Sequence, residues 1–239
     1  MKINIFFLNL LLKMVFMSKI ILIRHGESFA NNLNLFSGWL DVCLTAKGIK
    51  EAQKAGKYLS NCKFDEVYTS NLSRALLTAT IILSENKHVR FPIFDHFENK
   101  KYTFMSNSIK DISTIIRKDN RLNERFYGSL QGRSVEESQK FIVEKNKSFW
   151  ETSFSKIKSA EHINELLKRT KLFYNLVIIP KLSRGKNLLV VSHGTCIGVL
   201  LAHIQNIDIS DIKTKELPNS RPIIFSYAKG TFEIKNKLT

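Results

Sequence analysis

Residues 20–28 read I-I-L-I-R-H-G-E-S, and residues 189–194 read L-V-V-S-H-G. In each, a run of aliphatic side chains stops at a histidine followed by glycine. Short apolar runs bounded by turn residues read as strands covered on both faces, the kind a parallel sheet contains. The strands expected here are Lys19–Ile23 and Asn187–Ser192. Both histidines then leave the sheet at strand carboxyl ends, which is where open α/β sheets carry their sites. If the two strands are neighbours, the rings meet.

Outward from these strands the pattern alternates. Thr45 is read as the cap of an amphipathic helix, T-A-K-G-I-K-E-A-Q-K-A-G-K-Y-L, with Ile49, Ala52, Ala55, Gly56 and Leu59 inward. Glu66–Thr69 reads as a strand, and Asn71–Leu83 as a helix burying Ala75, Leu76, Ala79 and Ile82. Further helices are expected at Val135–Lys145, at Glu161–Ile179 (ending at Pro180) and at Thr195–Ile204, with a final hairpin, Pro222–Tyr227 and Thr231–Lys235, turning at Gly230. The fold class this implies is α/β: a three-layer sandwich with a mostly parallel central sheet and helices on both faces. No linker interrupts residues 17–239, which are expected to form one catalytic domain. Within it, the lysine-rich stretch at about 87–119 reads as an insertion carrying a little helix near Ile109–Lys118.

The apolar start, Ile3–Met17, is short for a membrane-spanning helix and is broken by Asn4, Asn9 and Lys13. No small-residue cleavage site follows it. Residues 1–16 are therefore read as an extension upstream of Met17-Ser18-Lys19, in a cytoplasmic protein with no membrane partner. Lys and Arg number 37 against 21 Asp and Glu, a formal charge of +16. Such a field draws anions, but the lysines are scattered and no aromatic-basic run offers stacking to bases. The excess therefore reads as a general lysine-rich bias that helps anionic substrates arrive without identifying them; the partner expected is a small phosphorylated metabolite, with a nucleic-acid binder the weaker reading. Cys43, Cys62 and Cys196 lack paired or metal-like spacing, so they read as small buried hydrophobes, with no metal site.

Phosphate recognition calls for cations from several directions, including arginine. Arg24 precedes the first histidine, and Arg74 follows another strand end in Y-T-S-N-L-S-R-A; Asn31, Ser37 and the Gly38 backbone offer hydrogen bonds from the first loop. Phosphoryl transfer also needs a proton source for the leaving oxygen, and Glu124 in R-L-N-E-R-F-Y-G is the candidate. A neutral imidazole whose other nitrogen is held can attack phosphorus directly. In that scheme His25 is the nucleophile, and His193 and the arginines stabilise the equatorial oxygens. His88, His96, His162 and His203 lack comparable context and read as surface or helix residues.

Six segments taken in order, R-H-G-E-S (24–28), N-L-F-S-G-W-L-D (34–41) with L-T-A-K-G (44–48), S-N-L-S-R-A (70–75), L-N-E-R-F-Y-G-S-L-Q-G (122–132), G-K-N-L-L-V-V-S-H-G (185–194) and E-L-P-N-S-R-P (216–222), resemble the histidine phosphatase superfamily, specifically its phosphoglycerate mutases that depend on 2,3-bisphosphoglycerate. The resemblance implies that His25 is phosphorylated and that Glu124 donates and accepts the proton. It makes Arg24, Arg74 and His193 the phosphate pocket. Asn31, Ser37, Gly38, Arg125, Tyr127 and Gly194 become substrate contacts, with Thr195 standing where the family has asparagine. It further implies interconversion of 3- and 2-phosphoglycerate in glycolysis and gluconeogenesis, 2,3-bisphosphoglycerate as phosphoryl primer, no metal, and a homodimer or homotetramer.

The chain departs from that pattern where substrate is gripped. The family's lysine after the tyrosine-glycine segment is Val135, and its arginine pair after tryptophan is Glu151 and Thr152. Each lost charge-assisted contact costs about 1.5–3 kcal/mol, with Arg133, Lys145, Lys147 and Lys156 as candidate replacements. A phosphatase using the same histidine, in which water accepts the phosphoryl group, is the alternative. A catalytically silent binding protein is the third reading, opposed by the joint retention of His25, Arg24, Arg74, Glu124 and His193.

Overall fold

Alternation along buried strands builds the layers. The computed structural model describes residues 17–89, 91–95, 113–142, 157, 159–211 and 217–237. Among these the sheet has seven strands: β1 (Ser18–Arg24), β2 (Glu66–Thr69), β3 (Phe91–Asp95), β4 (Ser113–Lys118), β5 (Leu188–Ser192), β6 (Ile223–Ala228) and β7 (Thr231–Lys237). Their order across the sheet is β3-β4-β2-β5-β1-β6-β7, with β1 to β5 mutually parallel, β6 antiparallel to β1, and β7 antiparallel to β6. The longer helices are α1 (Ala46–Tyr58), α2 (Ser73–Ser84), α3 (Val135–Ile142), α4 (Ile163–Phe173) and α5 (Gly194–Gln205).

Ile20 and Leu22 of β1, with Leu188 and Val190 of β5, pack with Phe173, Ile197 and Leu200 from α4 and α5. The intervening Ile21, Ile23, Leu189 and Val191 point the other way, onto Ala55 and Leu59 of α1 and Ala75, Ala79 and Ile82 of α2. The period-two alternation of side chains thus places one helical layer on each face of the sheet. Each fully buried leucine or isoleucine contributes roughly 1.5–3 kcal/mol. The three-layer α/β expectation holds.

Several local expectations need correction. Ser113–Lys118 is strand β4 rather than a helix: its backbone pairs on both sides, with Val67–Thr69 of β2 and with β3. The stretch at about 87–119 therefore supplies two strands of the central sheet; Ile109–Ile112 lie outside the described residues. The helix expected to end at Pro180 runs through it, as a π-helical stretch at Tyr174–Ile178 and a last turn at Ile179–Leu182. Restarting the turn at Ile179 puts the proline where a missing N–H costs nothing. That helix also begins later than expected, because His162 caps it: its ring accepts from the Asn164 N–H, and the Glu165 carboxylate accepts from the His162 N–H. Ile49 is exposed on α1, where Gly48 is buried instead, and Leu76 is only partly buried. Cys43 is exposed, Cys62 half-buried and Cys196 buried, so only the last fits the expectation fully. The turn at Lys229 and Gly230 has φ of 51° and 82°, the left-handed pair that a two-residue hairpin loop demands. Among the described residues no helix is long and apolar enough to cross a membrane; residues 1–16 lie outside them.

Candidate active site

Strand register brings the two histidines together. β1 and β5 are adjacent and parallel, with Arg24 opposite Ser192, so the next residues emerge side by side. The His25 N–H donates to the Ser192 carbonyl (2.9 Å), and the two rings lie 5.0 Å apart between centroids. Both are buried.

The His25 ring is held from both ends. Nδ1 lies 2.7 Å from the Gly26 carbonyl, an acceptor only, so Nδ1 carries the proton. Nε2 then has a free lone pair, which accepts from Arg74 Nε at 3.3 Å. Burial first, and then the charges of Arg74 and Arg24, hold the ring's pKa well below 6.5. The imidazole is neutral at pH 7.

Arg74 is fully buried in the first turn of α2. Its Nη1 and Nη2 donate to the carbonyls of Leu40 (2.8 Å) and Gly38 (2.7 Å). Gly38 can aim its carbonyl this way because its φ is +49°, and a Cβ there would sit 2.2 Å from Gln131 Oε1. Burial lowers the Arg74 pKa to about 10, still cationic at neutral pH. Arg24 donates Nη1 to the Leu217 carbonyl (2.8 Å), and its buried Nε has no protein partner. The segment around Leu217–Ser220 closes the end of β1: Asn219 donates to the His25 carbonyl and Ser220 N–H to that of Arg24.

Glu124 is buried beside the helix that follows His193. Its Oε1 accepts from the Arg125 N–H (2.8 Å) and its Oε2 from the Thr195 N–H (3.4 Å). Thr195 Oγ1 is 3.0 Å from the Tyr127 hydroxyl, whose pKa burial and the Glu124 charge push up. Gly194 lies against Arg24; an added Cβ would be 3.6 Å from Nε, an ordinary contact. Arg24, His25, Gly38, Arg74, Glu124, Tyr127, His193, Gly194 and Thr195 are therefore assembled at one end of the sheet, and the buried Arg125 adjoins them through Glu124. Ser37 is half-buried next to Gly38. Asn31 is turned elsewhere: its Oδ1 accepts from the Ser28 N–H and Oγ, capping the helical turn Phe29–Asn32. Arg133 is exposed, with Nε on the Ser129 carbonyl. Lys145, Lys147, Glu151, Thr152 and Lys156 lie outside the described residues, and so does His96.

Sequence reasoning missed the groups that hold this cluster. Ser70 Oγ lies 2.7 Å from His193 Nε2; only the pairing of β2 with β5 brings them together, so no local pattern marked it. Trp39 Nε1 donates to the Glu124 carbonyl at 2.6 Å and stacks edge-on against Phe126. Arg169 donates to the carbonyls of Arg121, Asn123 and Glu124 and forks onto the Glu161 carboxylate, which also accepts from the Phe126 N–H. Thr78 Oγ1 accepts from the Gly26 N–H. Among the described residues no cluster of three or more His, Cys, Asp or Glu is arranged to hold a metal.

Comparison with known proteins gives the same picture. A family model described as histidine phosphatase superfamily (branch 1) matches residues 20–98 and 106–237. A 2,3-bisphosphoglycerate-dependent phosphoglycerate mutase of Methanococcus vannielii is 32% identical over 213 residues, which cover 88% of this chain and 91% of that protein. Among solved structures, a phosphoglycerate mutase from Bacillus anthracis superposes with a TM-score of 0.70 at 20% identity, covering 93% of each chain. A mycobacterial glucosyl-3-phosphoglycerate phosphatase superposes with a TM-score of 0.66 at 19% identity, covering 91% of this chain and 97% of its own. At those identities the two structures speak for the fold alone.

Proposed function

The chain belongs to the histidine phosphatase superfamily (branch 1), and from that premise we propose that it is a phosphoglycerate mutase, interconverting 3- and 2-phosphoglycerate through phosphorylated His25. The observation that carries the phosphohistidine chemistry is the His25 ring: neutral, with Nδ1 tied to the Gly26 carbonyl and the Nε2 lone pair facing Arg74; similarity to phosphoglycerate mutases over most of the chain favours the mutase outcome.

Nε2 attacks phosphorus as the bond from phosphorus to the leaving oxygen breaks. Arg74, Arg24 and His193 surround the transferring group with donors already in place, so the developing charge is met without reorganisation. Glu124 hands a proton to the leaving oxygen and recovers it from the hydroxyl that takes the phosphoryl group back. Arg125, Tyr127, Ser37, Gly38, Gly194 and Thr195 line the substrate's path in this reading, and Asn31 joins them only if its side chain leaves the Ser28 cap. The donor set suits a phosphoryl group: Arg24 Nε and His193 Nδ1 are buried without protein partners, next to cationic Arg74. When bound, 2,3-bisphosphoglycerate supplies the phosphoryl group that charges His25. The substrate is then a small phosphorylated metabolite, and family resemblance favours a homodimer or homotetramer.

A second reading rests on Val135. Where the mutase pattern has lysine, this side chain packs against the apolar cluster of Phe36, Tyr127 and Leu130. With fewer cations for the substrate carboxylate, water can take the phosphoryl group and the enzyme is a phosphomonoesterase. Incubation with 3-phosphoglycerate and 2,3-bisphosphoglycerate separates the two: 2-phosphoglycerate with little free phosphate supports the mutase, and phosphate without isomer supports the phosphatase. Neither product, with no phosphorylated histidine, overturns both.

A further inference from the structure

We propose that Ser70 is a positioning residue that locks His193 in the Nδ1–H tautomer, so that a neutral ring presents a proton to the phosphoryl group held beside His25. The proposal rests on the phosphoryl-transfer reading of this site and adds a component to it.

The assignment follows from which groups can donate. Ser70 Oγ accepts from the Leu72 N–H (3.2 Å), a group that can only donate. The hydroxyl proton remains, and its partner is His193 Nε2 at 2.7 Å. Both residues are fully buried, so a hydroxyl proton left without an acceptor would be costly. An Nε2 that accepts is unprotonated, and a neutral imidazole then carries its proton on Nδ1. Nδ1 is itself buried and has no protein partner, 5.0 Å (ring to ring) from His25. The reverse tautomer would strand the serine proton and point a lone pair at an anion. Burial, reinforced by Arg74, keeps the ring neutral, so it donates only if the tautomer is right.

The two histidines then have complementary roles with the same protonation pattern. His25 donates from Nδ1 to its own chain and offers the Nε2 lone pair, whereas His193 accepts at Nε2 and offers the Nδ1 proton. Nucleophile and stabiliser are made from one residue type by the group placed behind each ring. For His193 that group is the first residue after β2, the strand next to β5, so the sheet sets the chemistry.

The direct test is nitrogen-15 NMR of the histidine rings in the whole protein at pH 7, with His193 assigned by its disappearance in His193→Gln. The expected spectrum has a protonated Nδ1 and a bare Nε2 for His193 in the wild type, and mixing with the Nε2–H form in Ser70→Ala. Phosphoryl-transfer kcat in Ser70→Ala is expected to fall about 10- to 100-fold, less than the roughly 10²–10³-fold for outright loss of one preorganised donor because part of the Nδ1–H form remains, with Ser70→Thr restoring both tautomer and rate. A wild-type His193 protonated on Nε2 overturns the proposal without any variant, and so does an unchanged tautomer in Ser70→Ala. Because the spectrum is independent of turnover, failure of the proposed reaction would appear separately, as absence of phosphohistidine in the wild type.

Discussion

The pair His25 and His193 links chemistry to stability. Both rings are neutral in the folded protein, with pKa values lowered well below 6.5 chiefly by burial, and next by Arg74. Between the folded and unfolded pKa values the unfolded chain binds protons that the folded one does not. Stability is therefore fully present above about pH 6.5 and declines as pH falls, by up to about 1.4 kcal/mol per pH unit per histidine. The urea midpoint is expected to drop between pH 7 and pH 5, and less steeply in His193→Gln; a flat profile would refute the neutral-pair assignment. The glycines following the two histidines differ in what they do. Gly26 and Gly48 press together: a Cβ on Gly48 would lie 2.1 Å from the Glu27 carbonyl oxygen, and one on Gly26 2.4 Å from that of Gly48. Gly48→Ala is expected to cost about 1–3 kcal/mol through this backbone clash, read as a lowered thermal midpoint, whereas Gly194→Ala, with 3.6 Å of room, should melt close to wild type.

The segment 121–126 that carries Glu124 is an element held by side chains rather than by its own hydrogen-bonded ladder. Arg169 spans it from α4, with three carbonyls on one guanidinium and the Glu161 carboxylate behind. Removing one partner of a mostly buried ion pair costs on the order of 3 kcal/mol. Arg169→Ala is thus expected to lower both the unfolding free energy and kcat, with KM for phosphoglycerate changing less, as denaturant titration and steady-state rates would reveal. Full kcat in a destabilised variant would separate folding from positioning and count against the clamp. How much of this was legible depended on range. The strand ends bearing His25 and His193, the Thr45 cap and the turn at Gly230 announce themselves through local residue types, and each is found in place. β4 did not, because Ile112, Ile115 and Ile116 have helical spacing while its pairing partners on β2 lie far back along the chain. Arg169 and Ser70 were silent for the same reason: their partners are brought to them only by the finished sheet.

At the scale of the molecule, a parallel sheet with a helical layer on each face delivers cations and ionisable groups from β1, β2, β5 and their following loops to one edge. The excess of 37 basic over 21 acidic residues gives the chain a formal charge of +16, and such a field is expected to steer anionic substrates in a salt-dependent way. kcat/KM for phosphoglycerate is expected to fall several-fold as salt rises from about 0.02 to 0.2 M, with kcat nearly constant; stopped-flow or steady-state assays at matched pH measure it, and insensitivity to salt would remove any steering role for the charge. Everything converges on whether the His25 Nε2 accepts a phosphoryl group. The protein incubated with radiolabelled 2,3-bisphosphoglycerate, quenched in alkali and digested, should carry an acid-labile, alkali-stable label on the peptide containing His25, and the His25→Ala protein should carry none and turn nothing over. An unlabelled His25 peptide, or undiminished turnover in His25→Ala, would contradict the account.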